Sequence, residues 1–214
     1  HFIEEMRLNS DQMIRGVYPR NLSITADTAT FDHKVINNKI MNSYDNVILY
    51  APTYRDSTNK ISIFSLFPEI EQLKAYLLET NSLFIFKLHH FEENSKEFLE
   101  FKQVNSSFDN FLFWEPEKDI YEIFHLINIA IVDYSSIFYD LLQADVNNII
   151  RYVPDFVSYN ETRGIKFDYM EYSGGGIAYN FNELISCLKN NNNIKNKEFL
   201  LDTFFGYTEK KLSD

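Results

Sequence analysis

Five short apolar runs separated by longer amphipathic segments constrain the fold of this chain most strongly. The runs are residues 47–50, 83–86, 111–113, 129–132 and 148–152. Each is rich in β-branched and aromatic residues, which is typical of a buried strand. Between them, residues 69–79 and 92–101 carry apolar side chains at helical spacing. This alternation predicts an α/β fold, a Rossmann-like and mainly parallel sheet with helices on both faces and right-handed crossovers.

Capping residues and the ends of the chain complete this interpretation. Asp119 is placed to cap a short helix over residues 120–126, and Asn180 or Asn182 to open one over residues 181–189. The tail from Lys197 onward predicts a closing helix. The first 46 residues differ, because they hold one strand-like piece at 13–17 and then a polar connection. We expect residues 1–46 to be the remnant of an amino-terminal domain and a hinge, and residues 47–214 to form the Rossmann-like domain.

Composition restricts the partners of the domain. The chain has 214 residues, of which 45% are hydrophobic, so it is large enough to bury a core. Its formal charge of −11 argues against nucleic-acid binding or adhesion to anionic lipid through the domain as a whole. A lone Cys187 fits a reducing compartment, and the sequence has no run of 18 or more apolar residues. Any anionic ligand must therefore be held locally.

The segment after the fourth apolar run suits a phosphate. Asp133 ends that strand, Ser135 and Ser136 follow, and a helical pattern begins at once. A strand end and the first turn of the next helix offer backbone N–H groups and a partial positive charge to an anion. Asp140 lies one turn into the helix, at a reach suited to ribose hydroxyls. The alternative is that Asp133 caps the helix and the serines satisfy its first turn.

Two further strand ends contribute candidates to the same edge. Arg55 leaves the first strand through Pro52 and is placed to hold a phosphate bidentately, although pairing with Asp56 on the surface is an equal alternative. His89 follows the second strand and is suited to donate to a diphosphate or to act as an acid toward a leaving phosphate. A surface histidine is the other interpretation, and we favour it for His90.

A polar segment after the fifth strand supplies one more candidate. Residues 159–169 read as a loop, followed by three consecutive glycines at 174–176. We interpret this loop as a mobile lid whose Arg163 meets the ligand, with an ordinary turn as the alternative. We expect neither a zinc site, because ligand spacing is missing, nor a nucleophilic serine, because no Gly-x-Ser-x-Gly elbow is present.

These motifs, taken in order, resemble the CDP-glycerol glycerophosphotransferase family of teichoic-acid and capsule synthesis. The matching segments are YPRN (18–21), LYAPTYRD (49–56), LH (88–89), DIYE (119–122), DYSSIFYD (133–140) and ETRGIKFDY (161–169). The resemblance implies a GT-B architecture of two Rossmann-like domains, of which this chain is the carboxyl-terminal, donor-binding one. It implies that Arg55, His89, Ser135 and Ser136 hold the diphosphate, with Arg55 and His89 stabilising the departing phosphate. Asp133 and Arg163 stay donor-binding candidates from their places in the sequence. Asp140 would bind the ribose.

The chain departs from the family pattern at several positions. It has His90 where proline is common, Asn147-Asn148 where a basic residue and proline are common, and Leu22 in place of Asp. Residues 175–178 replace a Gly-Pro-Ile-Val type segment, so the chain departs from the family pattern within the expected lid. A histidine proposed as the general base belongs to the amino-terminal domain of the family.

The resemblance therefore implies a transferase that moves glycerol phosphate, or a related alditol phosphate, from a CDP-activated donor to an acceptor hydroxyl. No cofactor or metal is expected, and this chain alone would be inactive. The acceptor, lipid-linked or polymeric, would be reached through the missing domain, in a cytoplasmic enzyme peripheral to the inner face of the cell membrane. Two rivals stay open: a GT-B glycosyltransferase domain using a nucleotide sugar, and a noncatalytic interaction domain that has lost its ligand.

Overall fold

The structure is a computed structural model that describes residues 9, 35–36, 39–40, 43–55, 61–165, 168–190 and 192–205. The strand expected at residues 13–17, the Arg20 motif, Asp56 and Lys166 lie outside the described residues. No helix in the described part of the chain is long and apolar enough to cross a membrane.

One parallel sheet of six strands forms the centre of the domain. Its strands are β3 (Asn46–Tyr50), β4 (Ser82–Phe86), β5 (Phe111–Phe113), β6 (Ile129–Val132), β7 (Asn148–Tyr152) and β8 (Gly176–Ala178). Their order is β5-β4-β3-β6-β7-β8, and every neighbouring pair is parallel. A separate antiparallel pair joins β1 (Val35–Ile36) and β2 (Lys39–Ile40).

This strand order fixes where a ligand can bind. Counted from β3, the six strands run 3-2-1-4-5-6 across the sheet, which is the order of the Rossmann fold. The chain moves outward from β3 in one direction through β4, then returns to β6 and moves in the other. Ligands of such sheets bind outside the carboxyl ends of the strands at this reversal. The segments that follow β3 and β6 therefore border the expected crevice.

Helices fill the connections between strands. They are α1 (Ile63–Leu66), α2 (Ile70–Glu79), α3 (His90–Glu93), α4 (Lys96–Asn105), α5 (Ile137–Gln143), α6 (Phe156–Arg163), α7 (Tyr169–Ser173), α8 (Phe181–Lys189) and α9 (Lys197–Phe205), with a 3₁₀ helix at Ile120–Leu126. Asp119 and Asn180 cap their helices as predicted, accepting from the N–H groups of Tyr121 and Glu183.

Alternate residues of the strands build two apolar cores, one on each face of the sheet. Ile48 and Phe84 face a core with α1, α2, α4 and α8. Leu49 and Ile85 face the opposite core with the 3₁₀ helix, α5 and α9. The strands are buried on both sides, which is why they read as continuous apolar runs rather than alternating ones. The predicted parallel sheet with helices on both faces is confirmed.

Two segments differ from the sequence-based expectation. Residues 159–163 form the second half of α6 rather than a loop, and the glycine run opens the edge strand β8 rather than completing a lid. A Cβ atom added at Gly175 would lie 1.8 Å from the carbonyl oxygen of Ile149. The glycine is therefore required by close approach to the backbone of β7, because no side chain fits there.

Candidate functional site

Asp133 is the centre of a polar cluster at the carboxyl edge of the sheet, where β6 ends. Its side chain is almost completely buried. Oδ1 accepts hydrogen bonds from the backbone N–H and the hydroxyl of Thr53, both at 2.7 Å, and from the N–H of Ser135 at 3.1 Å. The carboxylate therefore ties the segment after β3 to the turn after β6, across the reversal of strand order.

Arg55 is buried in the same cluster and binds two carboxylates. Nη1 lies 2.7 Å from Oδ2 of Asp133 and also donates to the carbonyl oxygen of Thr53 at 3.1 Å. Nε and Nη2 make a bidentate pair with Asp155, at 2.7 Å and 3.0 Å. Burial disfavours the charged guanidinium, but the hydrogen bond to Asp155 and the charges of Asp133 and Asp155 outweigh it and raise the pKa of Arg55. Arg55 stays charged at any physiological pH.

A second arginine, Arg151, holds the backbone of the turn after β6. Nη1 of Arg151, in β7, donates to the carbonyl oxygen of Asp133 at 2.6 Å, and the hydroxyl of Tyr169 donates to the same oxygen at 3.0 Å. The guanidinium carbon lies 3.5 Å from the ring centroid of Phe138, a cation–π contact. Burial lowers the pKa of Arg151. The two hydrogen bonds fix the backbone carbonyl of Asp133, whose side chain is held by Thr53, Ser135 and Arg55.

The two serines lie at the first turn of α5, as predicted. Ser135 is half-buried and Ser136 is exposed at the N-cap position, where its side chain makes no capping hydrogen bond. The Ser135 hydroxyl accepts from the N–H of Ile137 at a long 3.5 Å. The N–H of Ser135 is held by Asp133, so the hydroxyls are better placed than that amide to meet a ligand.

His89 follows β4 and lies against the segment that carries Arg55. Its ring centroid is 5.1 Å from that of Tyr54. Nδ1 accepts from the N–H of Phe91 at 3.4 Å, which caps α3 and leaves Nε2 to carry the proton of the neutral ring. Burial, the neighbouring His90 and Lys87 lower the pKa of His89. The structure thus brings Arg55, His89 and Ser135 to one edge of the sheet.

Lys87 is paired within the segment that follows β4. Its Nζ donates to the carbonyl oxygen of Leu88 at 2.6 Å and lies 3.6 Å from Oε1 of Glu93. Glu93 is buried without a hydrogen-bond partner among the described residues, and this burial raises its pKa despite Lys87. The pair braces the turn that carries His89.

Two candidates stand apart from the central cluster. Asp140 is buried in α5, and Oδ2 accepts from the hydroxyl of Tyr121 at 2.7 Å. Arg163 is exposed in the last turn of α6, one turn beyond Tyr159, whose ring stacks on Tyr134. Asp140 is thus placed under the serines and Arg163 beside the cluster, and the roles predicted for both stay predictions.

Sequence reasoning missed Thr53, Arg151, Asp155 and Tyr169, which hold the cluster together. Arg151 had a signal, since a charged residue inside an apolar strand requires a buried partner. Asp155 had a weaker one, because it follows the carboxyl end of β7 and so reaches the same edge. Among the described residues, no group of three or more His, Cys, Asp or Glu side chains could hold a metal ion.

Comparison of the sequence with known protein families identifies the family of this chain. The sequence profile of the family described as CDP-Glycerol:Poly(glycerophosphate) glycerophosphotransferase matches residues 2–214. The chain belongs to this family. The family resemblance predicted from the ordered motifs is thereby confirmed.

Curated relatives in the glycerophosphotransferase family are polymerases of cell-wall polymers. A teichoic acid poly(glycerol phosphate) polymerase of Bacillus spizizenii is 27% identical over 92% of this chain and 50% of its own length. The teichoic acid ribitol-phosphate polymerase TarL of Staphylococcus aureus is 28% identical over 78% of this chain and 29% of its own length. The chain thus spans half or less of these relatives.

Solved structures share the fold. The wall teichoic acid polymerase TagF superposes with a TM-score of 0.75 at 21% identity, over 99% of this chain and 52% of that one. Trehalose-6-phosphate synthase OtsA superposes with a TM-score of 0.52 at 10% identity, over 89% of this chain and 46% of that one. The predicted fold class, one half of a GT-B architecture, is confirmed.

Proposed function

We propose that this chain is the donor-nucleotide-binding domain of a glycerophosphotransferase. The donor is a CDP-activated alditol, glycerol or a relative of it, and the acceptor is a hydroxyl of a growing cell-surface polymer. The convergence of Arg55, His89 and the Ser135 turn at the strand-order reversal carries this proposal. Family membership and a solved structure of a TagF variant soaked with CDPG support the choice of donor.

The reaction is a phosphoryl transfer. The acceptor oxygen bonds to the β-phosphorus of the donor, the bond from that phosphorus to the bridging oxygen breaks, and CMP departs. Such transfer depends on positioning and on neutralising negative charge. Arg55 supplies a permanent positive charge near the diphosphate, and His89 supplies a proton for the departing phosphate. A base outside this chain takes the acceptor proton, so this chain alone does not turn over.

The proposal also assigns roles to the remaining candidate residues and a location to the full-length enzyme. Ser135 and Ser136 hold phosphate oxygens through their hydroxyls, Asp140 meets the ribose, and Arg163 approaches the donor from α6. We place the full-length enzyme in the cytoplasm, peripheral to the inner face of the cell membrane, where a lipid-linked acceptor is within reach. The curated relatives are named for teichoic acid polymers, which fits this setting.

Calorimetric titration of the chain with CDP, UDP and GDP tests the proposal. We expect CDP to bind most tightly, and His89→Ala and Ser135→Ala to weaken it at least about tenfold. His125→Ala and Ser106→Ala serve as matched controls, since both residues are exposed and lie near the opposite, amino-terminal ends of β6 and β5. Tighter UDP binding would favour the nucleotide-sugar alternative. No heat with any nucleotide at sub-millimolar protein would favour the noncatalytic domain.

A further inference from the structure

Arg55 has little capacity left for a ligand while Asp155 holds it. A guanidinium has five N–H donors. Four of them point to the carbonyl oxygen of Thr53, to Asp133 Oδ2 and to both oxygens of Asp155. A diphosphate that binds Arg55 through two parallel hydrogen bonds therefore needs the place that Asp155 occupies.

We propose that Asp155 is an internal competitor for the diphosphate, which displaces it from Arg55 together with helix α6. The inference rests on the proposed function and adds to it a carboxylate that sets nucleotide affinity. A carboxylate and a phosphate present the same pair of acceptor oxygens to a guanidinium. The bidentate contact of Asp155 thus imitates the contact that the ligand makes.

The two carboxylates on Arg55 are not equivalent. Asp133 is the more deeply buried, and its second oxygen is held by the donors of Thr53 and Ser135. Beyond Arg55, the side chain of Asp155 accepts only from the hydroxyl of Tyr134, at 3.1 Å, among the described residues. Asp155 is therefore the partner that a ligand can replace at lower cost.

The helix that follows Asp155 is suited to move with it. None of the residues of α6 is fully buried. Its ring contacts with the rest of the described chain are the stack of Tyr159 on Tyr134 and the contacts of Phe156 with Tyr169 and Tyr179. An element that buries little apolar surface opens at low free energy.

Asp155 also has an alternative role once it leaves Arg55. It occupies the N-cap position of α6, yet its side chain makes no capping hydrogen bond. Aspartate is among the best N-cap residues, because its oxygen accepts from the free N–H groups of the first turn. Release from Arg55 lets the carboxylate turn to those groups, which offsets part of the lost ion pair.

Replacing Asp155 by asparagine tests the competition directly. Asp155→Asn keeps the size of the side chain and removes the charge that competes with the diphosphate. We expect CDP to bind about tenfold more tightly by calorimetry. Asp168→Asn is the matched control, since it makes the same change in net charge at an exposed cap and should leave the affinity unchanged. Affinity equal to or weaker than that of the unaltered chain overturns the proposal.

Hydrogen exchange of the unaltered chain gives a second measurement that needs no variant. We expect the amides of residues 156–163 to exchange faster with saturating CDP than without it, because α6 loses its link to Arg55. Slower or unchanged exchange overturns the displacement. If the unaltered chain binds CDP and Asp155→Asn binds no better, only this inference fails. If neither binds CDP, the proposed function fails as well.

Discussion

Tyr134 and Tyr159 stack face to face, with ring centroids 3.7 Å apart and ring planes within 10° of parallel. The first ring belongs to the turn after β6 and the second to α6, so the stack joins the serine-bearing turn to α6. The hydroxyl of Tyr134 also donates to Asp155, the N-cap residue of α6. Tyr134 therefore contacts α6 twice, through this hydrogen bond and through the ring stack.

Removing the second ring should loosen α6 without unfolding the domain. Tyr159→Ala deletes a stacked pair of about 0.5–1.5 kcal/mol beyond its buried area, in a helix that contributes no fully buried residue. We expect faster amide exchange at residues 156–163 and a melting temperature within a few degrees of the unaltered chain. Tyr159→Phe keeps the ring and should change neither quantity. Global unfolding by Tyr159→Ala would contradict this account.

Neutralising Asp133 should be far more costly. Asp133→Asn places an amide N–H₂ opposite the N–H groups of Arg55 or of Thr53, and it leaves the buried guanidinium with one carboxylate. Breaking a buried ion pair in this way costs about 3–5 kcal/mol. Urea unfolding followed by circular dichroism measures it, with Asp202→Asn on the exposed surface of α9 as control.

A double mutant separates the ion pair from the rest of the Asp133 network. Arg55→Gln combined with Asp133→Asn should destabilise the chain by less than the sum of the two single changes, because each single change already removes the same interaction between Arg55 and Asp133. Strict additivity of the two unfolding free energies would show that the pair makes no specific contribution.

The pH dependence of CDP binding should report on His89. Its pKa in the free chain is lowered from the ordinary value of 6.5, so the imidazole is neutral at pH 7. A bound diphosphate favours the imidazolium, so binding takes up a proton and the affinity rises as the pH falls toward that lowered pKa. Protonation of the nucleotide phosphate, with a pKa near about 6, opposes this trend in every variant.

Subtracting a variant isolates the histidine. His89→Gln keeps a hydrogen-bonding side chain that cannot titrate, so the difference in log affinity between the two proteins should grow in favour of the unaltered chain as the pH falls toward the lowered pKa of His89. Calorimetry in buffers of different ionisation enthalpy counts the protons taken up. A constant difference across pH 5 to 8 would show that His89 stays neutral beside the ligand.

Gly175 should not tolerate a side chain. Gly175→Ala drives a Cβ atom into the carbonyl of Ile149, where the gap is 1.8 Å, so β8 must shift away from β7. We expect a loss of roughly 2 kcal/mol or more in unfolding free energy. Gly164→Ala meets no neighbouring atom, so it separates backbone strain from contact: its φ of +72° and ψ of 124° should cost about 1–3 kcal/mol without any shift of β8. An unfolding free energy of Gly175→Ala close to that of the unaltered chain would count against the close contact.

The strands and most helices follow from local patterns, whereas the links of the site do not. Strands β3 to β7 bury both faces, so their apolar runs identify them. Strand β8 was not predicted, because its three residues begin with glycine and do not form an apolar run. Helix α6 was not predicted, because it buries no face and its second half therefore has the polar composition of a loop.

Partners distant along the chain explain what was missed in the site. Arg55, His89 and Ser135 could be assigned to one edge because parallel strands present their carboxyl ends together. The pairing of Arg55 with Asp155 depends on how β7 leads into α6, and a spacing of 100 residues carries no pattern that reveals it. The family resemblance supplied roles for single residues and said nothing of this contact.

The cluster around Asp133 joins distant parts of the chain. Asp133 lies 78 residues from Arg55 and 18 residues from Arg151 in the sequence. Contacts so distant in sequence form only after the strands between them have paired, because chain closure over such loops is entropically costly. We therefore expect the polar edge around Asp133 to form late in folding. A partly folded chain that has its helices and much of its sheet would still lack the arrangement of Arg55 and Ser135 around this carboxylate.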